Sequence, residues 1–221
     1  MKAYGFKDGI KLLIVGFLLS FLSLQSIGHG DHMEVGERSN DRTESYFIKM
    51  PDDIIAVTHA GQLSSGFMKP KGIEKFSEPI NEGSVAFILK LRDENRKVIG
   101  YSAQLEVMAM VGDGGSPVMD TEWILVVPGR GTLFLHEVEK PTEIFETFQP
   151  YIDSGDAWKG NIEVLTTAGP NEDGTGKVVG GTGEFSGADG YFLEINRFTE
   201  YDPSSENGLI GELEIRVTYR N

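Results

Sequence analysis

Two glutamates and one histidine, in segments with strand-like alternation, are the candidates for acid–base chemistry. Glu106 is followed at alternate positions by Met108 and Met110, so one face of this segment carries an ionisable group among methionines. His136 and Glu163 are ionisable residues in two later segments that are also predicted to be strands. If these faces line a cavity, either glutamate would act as general base or counter-charge, and His136 as proton donor or orienting group. If the faces point to solvent, the three residues are ordinary surface positions of β-strands.

Side chains on the same segments are the candidates for contact with a bound molecule. A barrel cavity is lined by every second residue, so neighbours that share a face with the ionisable residues are expected beside them. Two further aromatic residues, Tyr101 and Trp123, would serve equally well as core packing. The predicted ligand-binding residues are Tyr101, Met108, Met110, Trp123, Phe134 and Asn161.

The composition excludes several other kinds of chemistry. The chain has 221 residues and no cysteine, which excludes thiolate nucleophiles, thiolate metal sites and disulfides. Its formal net charge of −14 disfavours nucleic acid as a partner, because no basic patch is available to pair with phosphates. The segment 169–177 lacks the glycine spacing of a phosphate loop. No hydrolase elbow, zinc-protease motif or calcium-loop spacing occurs, so we expect neither a cofactor nor a metal.

Short strands are the elements that would position these side chains. Runs of β-branched and aromatic residues recur between turn signals from Tyr46 onward, a pattern typical of an all-β sandwich or barrel. The segment 121–138 is predicted to form a hairpin, and a helical turn or excursion is expected at 140–152. The predicted strands are 46–50, 54–60, 84–91, 98–111, 121–127, 132–138, 161–167, 177–180, 190–197 and 209–219.

The first 45 residues carry signals for export rather than for folding. Three lysines precede an apolar stretch from Leu12 to Leu24, which has the length of a signal-peptide core and is short for a membrane span. We expect a signal peptide at 1–28; an uncleaved membrane anchor is the alternative. Residues 29–45 are polar and aperiodic, which predicts a flexible leader before a domain at 46–221. The sequence therefore predicts an exported protein, secreted or periplasmic, without stable membrane insertion after cleavage.

Two segments resemble the signatures of a known family. Lys177–Tyr191, KVVGGTGEFSGADGY, resembles the Val-x-Gly-Gly-Thr-Gly-x-Phe-x-x-Ala-x-Gly signature of allene oxide cyclase-like and dirigent-like proteins. Upstream, Trp123–Gly129 and Gly131–Leu133 look like that family's hairpin, in which a tryptophan strand, a glycine turn and a second strand follow one another. The resemblance covers about residues 84–221 and keeps the family's order of elements.

That resemblance implies a single eight-stranded antiparallel β-barrel with an apolar cavity, of a kind that often assembles as a homotrimer. Family members hold a reactive hydrophobic intermediate in the cavity and steer its cyclisation or coupling. The segment 139–160 departs from the family as an insertion between strands, which would cap a barrel mouth or contact another subunit. The family's cavity residues do not align with this chain, so no catalytic role is transferred.

Three classes of function follow. The leading class is an exported barrel that binds a small hydrophobic molecule in its lumen. The second is an isomerase or cyclase, in which the cavity fixes one conformer and lowers the entropic cost of ring closure. The third is a non-catalytic structural or interaction module with a closed barrel. Methionine, phenylalanine and one or two charges around a cavity would favour the first two classes, and a lumen filled by bulky side chains would favour the third.

Overall fold

A computed structural model gives the architecture of the part of the chain that follows the predicted signal peptide. Strand β1 begins at Arg42, four residues before the predicted start of the domain; the signal peptide at 1–28 lies outside the described residues. Within the described part, no helix has the length and apolarity needed to cross a membrane. The described residues are 41–60, 74–76, 84–110, 117–205 and 207–220.

These residues form strands and one helix, in close agreement with the predicted alternation. The elements are β1 (Arg42–Met50), β2 (Ile54–Ala60), β3 (Glu74–Phe76), β4 (Ser84–Arg92), β5 (Val98–Met110), β6 (Pro117–Val127), β7 (Gly131–Glu139), α1 (Thr142–Ser154), β8 (Trp158–Leu165), β9 (Gly176–Gly183), β10 (Asp189–Asp202) and β11 (Gly208–Arg220). The short strand β3 was not predicted, because three residues are too few for a visible alternation.

Eight of these strands close into an antiparallel barrel, which confirms the predicted fold class. The circuit runs β1, β11, β10, β9, β7, β6, β5 and β4. It closes where Phe47 of β1 pairs with Arg92 of β4. Strand β2 pairs with β4, β3 runs parallel to β2, and β8 pairs with β10. Each strand of the circuit therefore has a hydrogen-bonded neighbour on both sides, although β1 and β4 join through a single residue pair.

Bulky apolar side chains fill the middle of the barrel. Trp123 and Leu125 of β6, with Leu133 and Leu135 of β7, have no solvent exposure. The residues that lie between them in each strand point outward, because successive side chains of a strand alternate between its two faces. Full burial of each such side chain stabilises the fold by about 1.5–3 kcal/mol, so this packed layer is a principal source of stability.

Two glycines of the family-like signature are required by close backbone contacts. Gly183 has φ +63°, and a Cβ there would lie 2.2 Å from the carbonyl oxygen of Arg130. At Gly190 a Cβ would lie 2.1 Å from the carbonyl oxygen of Thr218. Neither position has room for a side chain. The signature therefore specifies how strands β9 and β10 approach their neighbours, and it carries no chemistry of its own.

One end of the barrel is closed by a network around Glu44. The Arg130 guanidinium donates from Nη1 and Nη2 to the two Glu44 carboxylate oxygens, each at 2.9 Å. The hydroxyls of Tyr46 and Tyr219 also donate to Glu44, at 2.7 and 2.9 Å. The same guanidinium lies 4.7 Å from the centre of the buried Phe185 ring. We call this the plugged end, because these aromatic rings fill it.

Helix α1 lies at the opposite end, where β7 finishes. Its buried Phe148 makes edge contacts with Trp158 of β8 and Phe198 of β10, with ring centres 5.2 and 5.5 Å apart. Tyr201 packs against the same ring at 5.5 Å. The helix ends at Gly155, whose backbone N–H donates to the Tyr151 carbonyl in a left-handed cap. The insertion expected at 139–160 thus contains a helix that covers part of this end of the barrel.

Candidate functional site

The inner wall of the barrel near this second end carries polar residues. Glu106 and Met108 of β5 and Trp123 of β6 are the predicted site residues that lie there. They belong to three rows of cross-strand partners over β5, β6 and β7. The rows are Gln104–Trp123–Leu135, Glu106–Thr121–Glu137 and Met108–Met119–Glu139. The middle and outer rows bring three carboxyl groups to one region, which we call the acidic mouth.

Glu137 is held at this mouth by two neutral donors. The Trp123 indole Nε1–H donates to Glu137 Oε1 at 2.9 Å. The Thr167 hydroxyl donates to Glu137 Oε2 at 2.6 Å. Both Glu137 oxygens are therefore fixed, and the carboxyl is completely buried. The burial of Trp123 fits the core-packing alternative, and its hydrogen bond also gives it a role in positioning this carboxyl.

Strand β10 contributes a fourth carboxyl, that of Glu194. Its Oε1 accepts hydrogen bonds from Thr166 Oγ at 3.1 Å and from Asn196 Nδ2 at 2.8 Å. The backbone N–H of Glu194 donates to the Thr167 hydroxyl at 2.7 Å, which links the residue to the donor of Glu137. Glu194 and Asn196 are both buried, between the apolar inward residues Phe192 and Phe198 of the same strand.

Burial and the charges of neighbouring carboxylates favour the protonated forms of Glu106, Glu137 and Glu139. Burial, followed by the charge of Glu194, raises the pKa of the half-buried Glu106 to about 8. The same two causes raise the pKa of Glu137 well above its usual value, against the opposing hydrogen bonds from Thr167 and Trp123. Burial and the charges of Glu194, Glu137 and Glu106 act likewise on the pKa of Glu139. The acidic mouth therefore presents carboxylic acids as well as carboxylates near neutral pH.

The other two acid–base candidates lie on the outside of the barrel, because their strands turn the opposite face inward. His136 Nε2 lies 2.7 Å from Asp120 Oδ1 on the outer surface. Glu163 is exposed and accepts a hydrogen bond from Arg197 Nε at 2.7 Å. The condition for their proposed acid–base roles, an inward-facing side chain, is thus met by Glu106 and not by His136 or Glu163.

Three of the remaining predicted contact residues lie outside the lumen. Tyr101 and Phe134 are 47% and 38% exposed on the outer wall, and Asn161 is exposed in an open groove beside Lys49 and Arg197. They do not line the lumen. Met110 closes strand β5, and its side chain lies outside what the structure describes.

Sequence reasoning missed Glu137, Glu139 and Glu194. A signal was present in β7, where Leu133, Leu135, Glu137 and Glu139 alternate and change from apolar to acidic along one face. The sequence-based hypothesis instead considered the opposite face, with Phe134 and His136, on the condition that this face points inward. The hairpin register would have corrected this choice, because it pairs Leu135 with Trp123.

Comparison with known proteins assigns no family to this arrangement. No protein-family model matches the chain, and no curated protein sequence matches it. The chemistry of the site therefore has to be argued from the barrel and from its acidic mouth.

Proposed function

We propose that this protein is an exported barrel that binds a small hydrophobic molecule at the acidic mouth of its lumen. Export is supported by the lysines and the apolar stretch of residues 1–28. Binding is supported by one observation above all: a half-buried carboxyl, Glu106, shares the inner wall with apolar side chains. Its neighbours along and across the strands include Met108 and Val85. Sites for small molecules combine such an apolar lining with a few convergent polar groups.

The same arrangement would orient its ligand. The apolar body would pack against the methionines, whose flexible thioethers adapt to irregular shapes. The polar group of the ligand would meet Glu106, which donates a hydrogen bond when protonated and accepts one when ionised. A ligand fixed in this way at both ends keeps few conformers, which is the requirement for steering a cyclisation or isomerisation. Such steering is the finer form of the proposal, and it is motivated by the resemblance to allene oxide cyclase-like and dirigent-like proteins.

A non-catalytic structural module is the second candidate, and one observation favours it. Trp123, Leu125, Leu133 and Leu135 are completely buried in the middle of the barrel. A ligand therefore has to bind at the mouth rather than deep in the lumen. A barrel that takes up no hydrophobic molecule there would be a closed module whose outer faces carry the function.

Titration with N-phenyl-1-naphthylamine, a neutral fluorophore that brightens in apolar surroundings, tests the proposal. We expect saturable binding, and Met108→Ser should weaken it about tenfold, the effect of losing about 1.5 kcal/mol of apolar contact. Glu163→Gln changes a carboxyl on the outer wall and should leave the affinity unchanged. Absence of saturable binding, or equal affinity in Met108→Ser, would refute a hydrophobic site at the mouth and support the structural module.

We also propose that copies of the chain associate as homotrimers through an outer apolar face on strands β4–β7. The face has a row of direct cross-strand partners, Ile88, Ala103, Ile124 and Phe134, with Leu105 beside them. Ile88 and Leu105 are 40% and 45% exposed. Contiguous exposed apolar residues of this kind mark interaction surfaces, and in a trimer the other two copies would cover this face.

Native mass spectrometry tests this association and reports any retained small molecule in the same spectrum. We expect a trimer for the unaltered protein and monomers for Leu105→Glu, because an interface that buries this carboxylate is unfavourable. Leu165→Glu is the matched control, since Leu165 is 52% exposed on β8, away from this face. A monomeric unaltered protein, or a trimer that survives Leu105→Glu, would contradict the proposed interface.

A further inference from the structure

Three carboxyls of the acidic mouth have the geometry of a cation site. Glu137, Glu139 and Glu194 each offer an oxygen, and the three oxygens lie within 4.8 Å of one another. All three residues are buried, with exposures of 0%, 6% and 2%. Calcium binds oxygens at 2.3–2.6 Å, so oxygens on opposite sides of one ion are about 4.6–5.2 Å apart. The three carboxyls can therefore bind one calcium-sized ion together.

The charge of this group has no counterpart in the protein. In the described part of the chain, no lysine, arginine or histidine forms an ion pair with Glu137, Glu139, Glu194 or the neighbouring Glu106. Their hydrogen-bond donors are the neutral groups of Trp123, Gln104, Thr166, Thr167 and Asn196. Buried carboxylates without an opposite charge are strongly unfavourable, so protons or a cation must neutralise them.

A second observation, independent of the acidic cluster, also points to a ligand. The Thr121 hydroxyl is completely buried, faces the Glu139 carboxyl, and has no hydrogen-bond partner of regular geometry among the described residues. Thr121 lies on the inner face of β6, directly between its partners Glu106 and Glu137. Glu194 Oε2, at the other side of the cluster, is likewise buried, and no described N–H or hydroxyl group donates to it; its carboxyl lies beside that of Glu137. Buried polar groups are rarely left unpaired, and those that are commonly face an ion or a water molecule.

We propose that Glu137, Glu139 and Glu194 together bind one divalent cation of the calcium type inside the barrel. Carboxylate oxygens, with hydroxyl and amide groups around them, are the hard ligands that calcium prefers, and its variable coordination suits side chains from three strands. Neutral donors such as Trp123 and Thr167 fix the orientation of Glu137, as outer partners do in metal sites. This inference needs no hydrophobic ligand, so it stands or falls separately from the proposed function. It departs from the sequence-based expectation that no metal is bound.

Terbium luminescence tests this site, because terbium replaces calcium and is excited by a nearby indole. Trp123 donates its hydrogen bond directly to a proposed ligand, so the bound ion would lie a few ångströms from that ring. Protein expressed from the full-length sequence is freed of metal with a chelator and titrated with terbium at pH 8. We expect one saturable site, displaced by calcium. Trp123→Phe should lose most of the luminescence, because the indole that excites the bound terbium is removed.

Ligand variants make the test specific. We expect Glu139→Gln and Glu194→Gln each to weaken calcium at least tenfold, since each removes one charged ligand while keeping the side chain's shape. Glu122→Gln, on the exposed face of β6 beside Thr121, is the matched control and should bind as the unaltered protein does. Far-ultraviolet circular dichroism identifies any variant that fails to fold, and the other variant then decides the result. Absence of a saturable site at pH 8, or unchanged affinity in a folded ligand variant, would overturn the proposal.

Discussion

Glu44→Gln is expected to lower the free energy of unfolding at pH 7 by about 2 kcal/mol, and to lose this effect at low pH. Burial alone would raise the pKa of Glu44, but hydrogen bonds from Arg130, Tyr46 and Tyr219 lower it to about 2. The unfolded chain has a value near 4.5. Ionised Glu44 therefore stabilises the folded state fully above pH 4.5, and this contribution is lost as the pH falls through 2.

Urea unfolding of both proteins between pH 2 and 7 measures this effect. The pKa values of Glu106, Glu137 and Glu139 shift in the opposite direction, and these residues also contribute to the pH dependence of stability. Since both proteins contain them, the difference in free energy of unfolding between the two proteins isolates Glu44. Glu184→Gln is the matched control: Glu184 accepts a hydrogen bond from the same arginine, at 2.9 Å, but its side chain is 55% exposed. Its removal should change stability little at any pH. A constant difference between Glu44→Gln and the unaltered protein down to pH 2 would contradict the role given to Glu44.

Arg92→Ala is expected to destabilise the barrel by about 3–5 kcal/mol, the usual effect of stranding a buried charge. Arg92 donates from Nε and Nη2 to the two oxygens of Asp53, each at 2.6 Å. Asp53 is completely buried at the corner between β1 and β2, and its carboxylate also accepts from the backbone N–H of Lys49. Without the guanidinium, a buried carboxylate would keep one backbone donor and no opposite charge.

This ion pair also lies at the point where the barrel closes. Arg92 is also the residue through which β4 pairs with Phe47 of β1 to close the barrel. Urea unfolding is the measurement, with Lys49→Ala as the control, because it removes an exposed ion pair with Asp52 beside the same corner. We expect the control to unfold at nearly the same urea concentration as the unaltered protein. Equal midpoints for Arg92→Ala and Lys49→Ala would show that the buried pair is dispensable.

The barrel could be predicted because its strands carry their signals locally. The segment 98–111 alternates over its whole length, and β5 occupies Val98–Met110. Helix α1 at Thr142–Ser154 lies close to the predicted excursion at 140–152. The glycines of β9 mark backbone contacts that exclude side chains, so they too indicate the fold. Each of these features depends on residues close together in the sequence.

The site could be predicted only in part, because it depends on which face of each strand turns inward. Alternation in β5 separates Glu106 and Met108 from Tyr101, but it does not say which set is inside. The inner face of β5 is the more polar one, since Ser102 and Gln104 are buried and Leu105 is exposed. An apolar outer wall reverses the usual rule that apolar residues face inward. Partners such as Glu194 come from β10, and only the closed circuit brings them near β7.

The plugged end has a consequence for how molecules exchange with the barrel. Tyr46, Tyr219 and Phe185 are buried there and obstruct passage along the barrel axis. A molecule bound beside Glu106 would therefore exchange at the opposite end of the barrel, on the side of Met108. An occupant at the rim would therefore slow the exchange of whatever lies beneath it. Assembly through the outer wall of β4–β7 would leave that route clear, so association and uptake would not compete.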